Sequence, residues 1–112
     1  MPVPPALIWM LGAVGAAALL KKFVLDAKKA EVEAAREKEL EAIVDAALLA
    51  RRMGLEVHGG HGLNYDNVLP IAKIPEMVEL NIGHSIIARA VFVGIEQAVR
   101  EMKELLNRAR GS

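Results

Sequence analysis

Two of the three histidines in this 112-residue chain stand in one short stretch, EVHGGHGLNYDN (Glu56 to Asn67), and the third closes another, NIGH (Asn81 to His84). His58 to Asn64 packs two histidines and three glycines into seven residues. Imidazole titrates near neutral pH and is suited to passing protons. Glycine lacks a Cβ, so its backbone N–H can come close to phosphate oxygens. The chemistry these residue types suggest is an anion held by backbone with a proton carrier beside it. A turn needs one glycine or two; this density implies a backbone that must approach something.

Other chemistries fit poorly. Lys plus Arg is 14 and Asp plus Glu is 14, so no net field steers nucleic acid. Aromatic residues make up only 4% of the chain, too few for base-stacking platforms, and no nucleic-acid partner is expected. The absence of cysteine excludes disulfides and thiolate zinc sites. His58, His61, His84 and Asp66 show no HxxxH or carboxylate spacing, so neither a metal nor a cofactor is expected.

The elements that must position these loops follow from patterning. Residues 1–25 read as an apolar, membrane-spanning helix. Val3 to Leu20 carries no charge, and Lys21 and Lys22 follow directly. At about 1.5 Å per residue this run spans roughly 27 Å, near a hydrocarbon core of about 30 Å. The lysines would set the N-terminus outside and the remainder in the cytoplasm, with lipid around Trp9 as an interfacial or packing aromatic. A buried hairpin or core helix, with the whole chain cytoplasmic, is the alternative. Gly12 with Ala16 and Ala13 with Ala17 are small-residue pairs that would let helices pack closely. Residues 26–39 mix both charge signs and read as a helical linker, with Lys29–Glu33 and Glu33–Arg36 at helical spacing.

From residue 40 to 112 the pattern is that of an α/β module. Leu40, Ile43, Val44, Ala47 and Leu48 make one apolar helical face, ended by Arg51, Arg52 and Gly54. LEVHG reads as a strand, Asn67 to Lys73 as a short helix stopped by Pro75, and MVELNIG as a second strand. HSIIARA adds one or two helical turns and Gly94 a break. Ile95 to Ala109 is then a last helix with Ile95, Val99, Met102, Leu105 and Leu106 inward. The order helix, strand, helix, strand, helix predicts a βαβ unit with parallel strands. Both strands read as apolar on two sides, as in a fully covered sheet.

The residues GLEVHGGHGLNYDNVLPIAKIPEMVELNIGHSIIARAVFVGIEQAVREMKEL, Gly54 to Leu105, closely resemble the C-terminal end of the pyridoxine 5′-phosphate synthase family of vitamin B6 biosynthesis. The resemblance extends weakly upstream to about Ala35, and residues 1 to about 30 lie outside it. It implies a partial (β/α)8 barrel made of the last two β/α units, with about six of the eight strands missing. Such barrels carry their sites at the C-terminal ends of the strands, often with phosphate held after strands seven and eight. The resemblance implies that His61, in the GHG triplet, is a catalytic proton donor. It also implies that Gly62, Gly83 and His84 bind the phosphate of a phosphorylated small molecule. The family usually has asparagine and alanine at His58 and Gly59, histidine at Asp66 and glycine at Ala88.

Two functions follow for a chain with so little of the barrel. One is a phosphate-binding segment of a pyridoxine 5′-phosphate synthase-like enzyme, incomplete alone. The other is a non-catalytic, membrane-anchored structural or interaction subunit, in which His61 and His84 are inherited loop residues and His58 a partly exposed strand residue. Either way two parallel strands cannot close a barrel. Other protein chains are expected as partners, in a homo-oligomer or a larger membrane complex.

Overall fold

The computed structural model describes residues 5–111, with side chains from residue 15. The chain divides into two units, Met1–Glu39 and Leu40–Ser112. A helix, α1 (Pro5–Arg52), runs through the first and into the second. The sequence reading takes this region as helical throughout, in three segments that differ in composition, and α1 runs through them. No glycine or proline occurs between Gly15 and Gly54, so nothing in the backbone interrupts it. Glu33 pairs with Arg36 at 3.2 Å on its exposed surface.

The membrane-spanning reading is not supported. Most of the apolar run falls on residues 1–14, outside the described side chains. Gly15 to Leu20 is followed at once by Lys21 and Lys22, and among the described residues no helix is long and apolar enough to cross a membrane.

In the second unit, α1 ends as the sequence suggests. Gly54 takes φ +81°, its N–H donates to the Arg51 carbonyl, and the Leu55 N–H reaches back to the Ala50 carbonyl, each at 3.0 Å. This double bond pattern satisfies the last helical carbonyls and turns the chain towards the first strand. There follow β1 (Val57–Gly60), α2 (Val68–Ala72), β2 (Met77–Asn81), α3 (His84–Val93) and α4 (Ile95–Arg110). Gly94, at φ +87°, separates the last two helices, and Gly111, at φ +74°, closes the final one. The expected order is found, and β1 and β2 are parallel.

The core forms on one face of this two-stranded sheet. Ala47, Val57, Ile74 and Met77 are buried together, with Leu40, Val44, Ala50, Ile71 and Leu80 packed around them. Val68, Ala72, Ala98 and Met102 are also buried, where α2 packs against α4. Among the described residues nothing covers the other face of the sheet, contrary to the reading of both strands as apolar on two sides. His58, Val78, Glu79 and Asn81 are exposed. The strands pair Val57 with Met77 and then His58 with Glu79, so Val78 is an extra residue on β2. That irregularity sets Glu79, not Val78, opposite His58.

A second correction concerns α4. Ile95 and Val99, expected inward, are 55% and 42% exposed, while Ala98 is wholly buried. The helix packs through Ala98 and Met102, with Leu105 and Leu106 half-buried beside them. Alanine lets the backbone of α4 come close to its neighbours, which rotates the bulkier residues outward.

Candidate functional site

The two segments singled out in the sequence are the loops at the C-terminal ends of the two strands. After Gly60, His61 and Gly62 both take left-handed conformations, φ +64° and +68°. For glycine this is free of strain; for histidine it costs on the order of 1 kcal/mol and needs surroundings that enforce it. Two asparagines supply them. Asn64 Oδ1 accepts from the backbone N–H groups of Asp66 and Asn67, at 2.8 and 2.9 Å. Asn67 Oδ1 accepts from the Asn64 N–H at 2.7 Å, and its Nδ2 donates to the Gly62 carbonyl at 2.9 Å. The loop is thus tied to itself around its left-handed pair.

Two further bonds fix where it sits. Ser85 Oγ donates to the Leu63 carbonyl at 2.8 Å, linking the first loop to the first turn of α3. Tyr65 donates its hydroxyl to the Ala98 carbonyl at 2.7 Å, linking the loop to α4. Partial burial raises the Tyr65 pKa, the field of Glu101 adds to that, and Arg89 opposes it. Neither Ser85 nor Tyr65 stands out in the sequence, because each acts through a partner distant in the chain. The Asn64–Asn67 pair was the readable signal, since asparagines three apart after a glycine commonly close a turn through their side chains.

Between the loops lies an open cleft of about 540 Å³ lined by His58 to Leu63 and by Asn81 to His84. It brings His61, Gly62, Gly83 and His84 onto one surface, with His58 at its edge. All four are exposed. No atom lies within 4 Å of where a Cβ would stand at Gly62 or Gly83. The first turn of α3 opens here, its earliest internal bond running from the Ile87 N–H to the Gly83 carbonyl at 3.0 Å. The N–H groups ahead of Ile87 have no helical acceptor, and a helix start of this kind favours an anion. Gly59 is different: a Cβ there would stand 2.9 Å from Met77 Sδ and 3.0 Å from Leu80 Cδ2, so it serves packing against β2.

His58 is an exposed residue of β1, with two carboxylates near its ring. Its Nε2 lies 2.6 Å from Glu56 Oε1, and its Nδ1 lies 3.8 Å from Glu79 Oε1.

A family model, described as pyridoxal phosphate biosynthesis protein PdxJ, matches residues 19–108. The chain belongs to the PdxJ family. Its match begins well upstream of Ala35, so part of the N-terminal region read as unrelated lies inside the PdxJ pattern. The pyridoxine 5′-phosphate synthase of Idiomarina loihiensis is 54% identical over 82 residues, which are 73% of this chain and 34% of that protein. That of Magnetococcus marinus is 58% identical over 80 residues, 71% of this chain and 33% of the relative. That of a Sulfurihydrogenibium species is 61% identical over 74 residues, 66% and 30%. The chain spans about a third of the length of these PdxJ relatives.

Proposed function

We propose that this chain is the phosphate-binding, C-terminal segment of a pyridoxine 5′-phosphate synthase-like enzyme. The observation that carries this reading is the single cleft shared by His61, Gly62, Gly83 and His84. The glycine N–H groups and the start of α3 bind the phosphate of a phosphorylated substrate, and His84 stands beside it. His61, held in its left-handed conformation on the same surface, gives a proton to the reacting part of that substrate. Membership of the PdxJ family and similarity to named pyridoxine 5′-phosphate synthases support the substrate class.

The chain does this as part of a larger assembly of strands. Among the described residues no further strand pairs with either outer edge of its two-stranded sheet, and the PdxJ relatives are about three times as long as the matched segment. Further β/α units, on whatever polypeptide carries them, complete the site.

The test is a titration of the isotopically labelled chain with a simple phosphate ester. The amide resonances of His61, Gly62 and Gly83 are expected to move together and saturate. If they stay still at millimolar ester, the cleft is not a phosphate site.

A further inference from the structure

All three histidines of the chain line one cleft, yet His58 has no part in the reading above. One of its carboxylate neighbours precedes β1 and the other lies on β2. Glu56 stands just before β1, two residues from His58 and therefore on the same side of the extended chain. Glu79 is the residue that the shifted register sets opposite His58 on β2. A neutral imidazole has one N–H to donate, whereas the imidazolium has two. Glu56 takes a hydrogen bond at Nε2, and Glu79, at 3.8 Å beyond hydrogen-bond reach of Nδ1, adds its negative field, so both favour the charged form.

We propose that His58 is a specificity-determining residue of the cleft, taking up a proton together with a divalent oxyanion. This deepens the phosphate reading and rests on it. The titratable groups around His58 are Glu56, Glu79 and, on the same cleft, His61 and His84. With a neutral ring, Glu56 and Glu79, which flank His58 without lining the cleft themselves, leave its edge doubly negative, and protonation of His58 cancels one of those charges. A divalent anion then binds more tightly, by about fivefold at low ionic strength. By reciprocity the bound anion strengthens proton uptake by the same factor. The free protein is already biased this way. The hydrogen bond to Glu56 raises the imidazole pKa above its usual value, partial burial opposes it, and the fields of Glu79 and Glu56 add to it.

Sulfate is the probe, because it keeps its double charge throughout the neutral range. The full chain is titrated from acid to mildly alkaline pH with and without sulfate, following the His58 ring proton and the Gly62 and Gly83 amides by NMR. Sulfate is expected to move both amides and to raise the His58 midpoint by about 0.7 pH unit, the equivalent of fivefold. In His58→Asn the gain in sulfate affinity on acidification shrinks by the same factor, and in Glu56→Gln the His58 midpoint of the free protein falls. Amides that move while the His58 midpoint stays fixed would overturn the role of His58 and leave the phosphate site standing. Amides that do not move at all would overturn both. The wild-type midpoint decides the matter even if a variant fails to fold.

Discussion

Gly62 and Gly83 look interchangeable in the sequence, but they are glycines for different reasons. Gly62 has φ +68°, so Gly62→Ala is expected to destabilise the fold by about 1 kcal/mol through backbone strain. Gly83 has φ −124° and open space where a Cβ would stand, so the fold alone does not require glycine there. Gly83→Ala is expected to leave the melting temperature within about 2 °C of wild type while weakening phosphate-ester binding severalfold. Thermal melts and ester titrations of the two variants check this, and unchanged ester binding in Gly83→Ala would remove the argument for backbone contact. Glycine and histidine crowding was legible in the sequence because it departs from what a turn needs. The bracket around His58 was not, because Glu79 reaches it only through an irregular strand register that no local pattern encodes.

The loops are positioned by bonds to the helices. Tyr65→Phe removes the hydroxyl that meets the Ala98 carbonyl, and it should lower stability by about 1 kcal/mol in denaturant unfolding. The Gly62 amide should broaden or shift as the loop loosens. Between α3 and α4, Arg89 Nε meets Glu101 Oε2 at 2.9 Å. The hydrogen bond from Arg89 holds the Glu101 carboxyl below its usual pKa, helped by one from Gln97. A carboxylate whose folded pKa is depressed adds stability above its unfolded pKa, and that stability disappears as pH falls through the folded value. Urea unfolding should therefore show a decline in stability below about pH 4.5 that is shallower in Glu101→Gln. An equal slope in both proteins would show that the pair contributes nothing. The order of elements was readable from helical and strand periodicity and from the stops at Gly54, Pro75, Gly94 and Gly111. The inward face of α4 was not, because hydrophobic pattern favours Ile95 and Val99 over Ala98, whose value lies in its small size.

At the scale of the molecule, the second unit leaves large apolar side chains in solvent. Val91 is 78% exposed and Phe92 84%, with Ile87 and Ile95 above half. Each 100 Å² of such surface left in water forgoes roughly 2.5 kcal/mol, a large share of what holds a small domain together. The purified chain is expected to scatter light as a species well above the mass of one chain, and to melt at a temperature that rises with concentration. A sharply melting monomer at micromolar concentration would count against any need for further strands. The proposed need for further strands was legible in the sequence as too few strands for a barrel; which surface would meet it was not, because no pattern within these residues encodes it. The uncovered face of the sheet narrows the choice. It presents Glu56, His58 and Glu79, so a greasy lid laid over it would strand carboxylates away from water with little to balance them. A partner closing over this side, as we propose, would have to be polar, bringing basic side chains or leaving a wet interior, so that the sheet would set the electrical character of its own complement.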